Sequence, residues 1–264
     1  MDFGGQRKVK QKPLLPEGDH LAICYMITDL GTQEVKVAEK FGGGTKPQGK
    51  VEFAFEFPEY KAVYNDEKGQ QVMSHWVMQT KSFYGSSRLK IMLESWSKKK
   101  IGANDKVDLS VYLGRACMIT IEHNPDKNGL ADDDTGSTIV WQNMTNFPTK
   151  LSDADREAYA KKGFLKGDKK TYPTENEKSY FDLGKFDQDV FDKIFPFKQK
   201  KIAGSPEFEA LVANGKAILK EQSDAKPQAA AVAQPVQAQP AQAAPMQSIA
   251  PDIDEEEDED EISF

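Results

Sequence analysis

The sequence predicts a mainly β fold: a five-stranded barrel with one helix between strands 3 and 4, then a C-terminal helical extension and a disordered acidic tail. Three observations predict it. Several short runs alternate large apolar residues with polar or small ones, the period of a half-buried strand, and a single run among them switches to helical spacing. From Ser223 the composition changes to Ala, Gln and Pro, which cannot bury enough apolar surface to fold, and an acidic tip follows.

Residues 1–16 are polar, with Arg7, Lys8, Lys10 and Lys12, and are expected to form a basic flexible arm. The barrel is assigned to residues 17–147. Leu21–Thr28 alternates Leu21, Ile23, Tyr25 and Ile27. Lys50–Phe57 places Phe53, Phe55 and Phe57 on one face and Glu52 and Glu56 on the other, and Pro58 is expected to end that strand because it lacks a ladder donor. Ser74–Phe83 is the third strand. In Ser86–Ser97, Leu89, Met92, Leu93 and Trp96 recur at helical spacing, with Ser86 or Ser87 as the cap. Arg115–Glu122 and Thr138–Met144 return to strand character. Three strands, a helix and two strands is the element order of an OB-fold, although a small α+β sandwich shares it.

Residues 148–222 are charged and become helical toward their end. Phe186, Val190, Phe191 and Ile194 have helical spacing up to Pro196; Ser205-Pro206-Glu207 reads as a helix start, continued by Phe208, Leu211, Val212 and Ile218. This extension is expected to pack on the barrel or to mediate self-association into a homo-oligomer. Residues 223–251 are the linker and 252–264 the acidic protein-interaction tip.

Charge is divided unevenly. The net charge is -7, yet residues 252–264 hold nine acids and no base, which leaves 33 acids against 35 bases in residues 1–251. Cys24 and Cys117 lie far apart in apolar runs, so no disulfide framework is implied and a reducing cytoplasm is expected. Residues 1–12 contain no apolar signal core, and nowhere do 18 apolar residues run together, so neither a secretory signal nor a membrane partner is expected.

Signals of enzyme chemistry fail on inspection. Gly44 to Lys50 has the spacing of a phosphate-binding loop, but Val51 stands where a hydroxyl is needed, Pro47 removes an N–H donor and a strand follows instead of a helix. The bland reading is a flexible Gly-Lys loop between the first two strands. His20 with Cys24 and Cys117 with His123 lack the usual zinc spacings. Asp132-Asp133-Asp134 lacks the calcium-loop pattern and reads as a solvated turn. His20, His75 and His123 suggest no triad. The expectation is a protein without enzymatic activity, metal or cofactor.

Nucleic-acid signals are distributed. Binding a single strand without sequence preference needs a basic groove for phosphates and aromatic faces for bases. Lys36, Lys40, Phe41, Lys46 and Lys50 occupy the first long connection, and Tyr60 and Tyr64 flank the second. His75, Trp76, Lys81, Phe83 and Tyr84 lie in or just after the third strand, and Trp141 in the fifth. Phe53, Phe55, Phe57 and Trp96 read as core, the glutamates opposite the three Phe being unsuited to phosphate. Trp76 and Trp141 are compatible with either face.

The tail, DIDEEEDEDEISF, resembles that of bacterial single-stranded DNA-binding proteins and the acidic, Phe-terminated tails of their phage equivalents, with Ser263 where the bacterial pattern has proline. The body is similar to a phage replication family in Leu30-Gly31-Thr32-Gln33, Val51 to Pro58, Leu93-Glu94-Ser95-Trp96, Leu113-Gly114-Arg115-Ala116 into Ile119–Asn124, and Ser205-Pro206-Glu207-Phe208. This resemblance implies an OB-fold protein that coats single-stranded DNA during phage replication and recombination, in the cytoplasm of the infected bacterial host. Asp258, Glu259, Asp260, Glu261, Ile262 and Phe264 would then recruit phage or host replication proteins and compete with DNA. Two rival readings are an acidic-tailed phage scaffold or chaperone without DNA affinity, and a structural adaptor with an OB-like barrel.

Overall fold

A computed structural model of the chain describes residues 8–37, 39, 42–64, 69–126, 130–166 and 171–219. Its strands are β1 (Lys8–Val9), β2 (Gly18–Lys36), β3 (Thr45–Val63), β4 (Gln70–Thr80), β5 (Ala116–Pro125), β6 (Ala131–Asp132), β7 (Val140–Met144) and β8 (Ser179–Phe181). Its helices are α1 (Arg88–Ser97), α2 (Asp153–Lys161), α3 (Gln188–Lys193), α4 (Pro196–Ala203) and α5 (Pro206–Ala213).

Two strands of 19 residues, β2 and β3, form the hairpin on which the rest is built. β4 pairs with β3, β5 with the other edge of β2, and β7 with β5, all antiparallel, in the order β4-β3-β2-β5-β7. The two end strands meet where the Gln142 amide donates to His75 Nδ1 at 3.4 Å, so the five strands form a nearly closed barrel. The five strand segments and the helix between the third and fourth follow the expected order.

The core is built as the periodicity predicts on α1 and β3. Leu89, Met92, Leu93 and Trp96 of α1 pack on Phe53, Phe55 and Phe57, with Cys24, Cys117, Ile119 and Ile121 beside them. Ser87 stands at the N-cap of α1, but its hydroxyl donates to the Ser82 carbonyl at 2.5 Å and does not cap the helix. Pro58 does not end its strand. The chain continues to Val63, and residues 58–60 form an irregularity between the Phe57–Met73 and Lys61–Val72 pairs, where the missing N–H costs no ladder bond.

β2 departs from simple alternation. Tyr25 is an extra residue between the Cys24–Phe55 and Met26–Ala54 pairs, so Leu21 and Ile23 face outward while Ile27 joins Ala22 and Cys24 inside. Leu30 is a second extra residue, between the Asp29–Val51 and Gly31–Lys50 pairs.

The extension packs on the barrel. β5 covers β2 only from Gly18 to Ile23, and β8 takes up the same strand in parallel from Met26 to Thr28. Leu30 of the second bulge enters a core with Phe181, Phe191, Ile202 and Phe208. Gly31, at φ +69°, makes this possible: a Cβ there would lie 2.5 Å from Ser205 Oγ. Ser205 is the N-cap of α5, as its sequence suggests, and accepts from the Phe208 N–H at 3.3 Å.

Residues 8–16 are also docked. β1 pairs in parallel with β6, Gln11 exchanges hydrogen bonds with Val140, and Leu15 is fully buried in the barrel core. The flexible-arm reading therefore fails from Lys8 onward, because Leu15 joins the barrel core and Gln11 and Leu15 hydrogen-bond to β7.

Candidate nucleic-acid interface

Alternation along β3 puts Lys46, Gln48, Lys50, Glu52, Ala54 and Glu56 on the barrel's outer face. Their cross-strand partners on β4 are Thr80 for Lys50, Met78 for Glu52, Trp76 for Ala54 and Ser74 for Glu56. This row has two halves, which differ in what covers them.

At the hairpin end the row is basic and open. Lys46 is exposed, and half-buried Lys50 donates to Gln48 Oε1 at 2.8 Å and to Thr80 Oγ1 at 2.9 Å. Burial, with the nearby Lys46 charge, lowers the Lys50 pKa. Across the hairpin Gln48 faces Gln33, whose amide donates to the Lys201 carbonyl at 3.0 Å. The last turn of α4, with exposed Lys200 and Lys201, thus lies beside the same row.

The other half is covered by the extension. Glu52 and Glu56 are buried, not solvated as their alternation suggests. Lys198 of α4 is buried too, forms an ion pair with Glu52, and sets its ammonium 3.4 Å from the Trp76 ring centroid. Burial pulls the Lys198 pKa down, and Glu52 opposes that pull. Glu56 accepts hydrogen bonds from the Glu175 N–H at 3.1 Å, the Asn176 N–H at 3.0 Å and the Asn176 amide at 2.9 Å. Burial nevertheless raises its pKa.

Trp76 is therefore not an open stacking surface. It is 6% exposed, its indole N–H donates to the Tyr25 hydroxyl at 2.9 Å, and Phe195 and Phe197 lie against it. His75 faces inward between core residues Met73 and Val77, and burial pushes its pKa down to about 4. Trp141 is half-buried on β7, with its indole N–H bonded to Asp126 at 2.8 Å.

The remaining candidates are spread out. Lys36 is exposed but pairs with Thr45, one residue out of step with the Lys46 row, and so points to the other side of the hairpin. Lys81 lies on that other side as well, ion-paired with Asp29 at 2.6 Å. Tyr84, in the β4–α1 connection, is 82% exposed. Tyr60 sits toward the far end of β3, roughly 30 Å from Lys50 at the usual rise per residue, and Tyr64 lies just beyond that end, farther still. Both pack on the core, Tyr60 edge-on to His20 at 5.0 Å, and burial pushes the Tyr64 pKa up to about 12. Lys40, Phe41 and all six tail residues from Asp258 to Phe264 lie outside the described residues.

Sequence reasoning missed Met78, Phe197, Lys200 and Lys201, which border the open half of the row. The available signal was Phe195-Pro196-Phe197-Lys198, two aromatics astride a helix-starting proline and ahead of lysines. Both rings meet Trp76 of the barrel, and Phe197 keeps the larger exposed surface.

Other sequence signals resolve as structure. Thr45–Lys50 is paired strand, not a flexible loop, and its Gly42–Gly44 turn has positive φ throughout. Asp132 is buried rather than solvated. It accepts from the Gln11 N–H at 2.6 Å and from Thr135 at 2.8 Å, donors that lower its pKa. His20 and His123 bond to the carbonyls of Pro16 and Leu15, each at 2.7 Å. Both thiols lie in the core, where burial raises their pKa values. Among the described residues no group of three or more His, Cys, Asp or Glu is placed to hold a metal, and no helix is long and apolar enough to cross a membrane.

Comparison with protein-family models, with curated proteins and with solved structures finds no match.

Proposed function

We propose that this chain is an OB-fold protein that binds single-stranded DNA in phage replication and recombination, with its acidic tail recruiting partner proteins and competing with DNA. The strand connectivity supports the fold: the first barrel strand pairs with the second and fourth, the third approaches the fifth, and the helix lies between the third and fourth. In that fold the second and third strands and the loop joining the first two are the usual nucleic-acid surface.

The observation that carries the reading is the open Lys46–Gln48–Lys50 row on the second barrel strand, bordered by Lys200 and Lys201 and by a partly exposed ring. Such a surface binds phosphates through counterion release while aromatic faces take up bases. The resemblance of the body and tail to phage single-stranded DNA-binding proteins supports the same reading. In this mechanism the nine acids of residues 252–264 mimic phosphates on the basic row until DNA displaces them, and the freed tip then meets replication proteins.

A labelled oligo-dT titrated with the protein by fluorescence anisotropy, over a range of salt, tests the reading. Affinity should fall steeply with salt. The Lys46→Glu, Lys50→Glu double variant should flatten the log–log salt slope by about 1.4, from about 0.7 per lost phosphate contact on a single strand. Absence of binding at low salt would overturn it.

A further inference from the structure

We propose that Phe197 is a base-stacking platform, supplied to the DNA surface by the C-terminal extension and held in place by Trp76, Lys198 and Glu52. The inference rests on the single-strand-binding reading and names a residue and a geometry for it.

Phe197 is 40% exposed although it packs on buried Trp76 and half-buried Phe195. Its ring lies 5.9 Å from that of Trp76 with 17° between planes, and 6.1 Å from that of Phe195 with 25° between planes. Trp76 and Phe195 cover part of the ring, and 40% of the residue remains exposed. A base added to that surface continues an existing stack of rings.

The mount is rigid, which matters because ordering a side chain upon binding costs affinity. Pro196 at the first position of α4 sets the helix entry, and Lys198 locks that first turn onto the sheet through Glu52, the Trp76 ring and Met26 Sδ at 3.7 Å. A buried ion pair contributes little net stability over apolar residues of the same size. Here it fixes where α4 lies, and so where Phe197 points.

The surroundings fit a base flanked by phosphates. Met78, 39% exposed, is the next outward residue after Trp76 on β4, and Thr80 with its partner Lys50 follows about 13 Å from Trp76. Lys200 and Lys201 leave the same helix one turn later. A nonspecific single-strand surface needs cations on the backbone path and a π-face between them. Phe197 supplies the π-face that Trp76, being covered, does not.

The test compares wild type, Phe197→Ala and Phe197→Tyr for binding to labelled oligo-dT and to an abasic oligonucleotide of equal length, each over a range of salt. Loss of one base stack should weaken oligo-dT binding about 5- to 150-fold in Phe197→Ala. Phe197→Tyr should stay close to wild type, and abasic binding and the salt slope should be unchanged in both. Equal oligo-dT binding by wild type and Phe197→Ala overturns the proposal while leaving the DNA reading intact. Equal loss of oligo-dT and abasic binding overturns it in favour of a purely structural role for Phe197. Failure of wild type to bind oligo-dT removes the DNA reading and this inference with it.

Discussion

Lys198 shows how one buried side chain ties the extension to the barrel. Its ammonium replaces water with the Glu52 carboxylate and the Trp76 π-face, the contacts that offset its desolvation. Lys198→Met should therefore cost about 3–5 kcal/mol in urea unfolding, because it leaves Glu52 buried without its cation. The Glu52→Gln, Lys198→Met double variant should recover most of that loss. A double variant as unstable as the single would show that packing, not charge, dominates. His75 gives a pH prediction. Its folded pKa of about 4 lies below the ordinary 6.5, so between these values the unfolded chain binds a proton that the folded chain refuses. That contribution to stability is complete above about pH 6.5 and is lost as the pH falls toward 4. Unfolding midpoints measured from pH 7 to 4 should fall less in His75→Gln than in wild type. Neither residue's setting was legible in the sequence: alternation gave Glu52 and Glu56 their face correctly but carried no sign of the lysine and amides that cover it.

At the scale of elements, β2 is governed by its two bulges. The first moves Ile27 into the barrel, and the second sends Leu30 into the extension's core and puts Gly31 beneath Ser205. Gly31→Ala should cost at least about 1–2 kcal/mol for its left-handed backbone alone. The overlap with Ser205 Oγ adds to this and should loosen α5, seen as faster amide exchange in Pro206–Ala213 while β5 stays protected. Uniform exchange across both would contradict a local role. The existence and order of the five barrel segments and α1 were readable, because each carries its own period. Strand lengths, α2 and β8 were not. β2 and β3 run past their apolar cores because each supplies the other's ladder, and three-residue β8 exists only because β5 leaves part of β2 unpaired.

Over the whole molecule, a barrel receives a strap at each end of its chain: residues 8–16 beside β7, and the extension across β2, β3 and β4. The extension thereby divides the outer face into a covered acidic half and an open basic half. If the tail competes for the open half, deleting residues 252–264 should tighten oligo-dT binding most at low salt and little at high salt, where charge is screened. Unchanged affinity at low salt would remove the competition from the mechanism. The sequence by itself determined which segments are strands, which is the barrel helix, and where the acids concentrate, since these depend on local period and composition. The tertiary structure alone decided which lysines stand together, that Trp76 is covered and that Phe197 is not. Those outcomes depend on contacts between residues more than a hundred positions apart, and no local period records them.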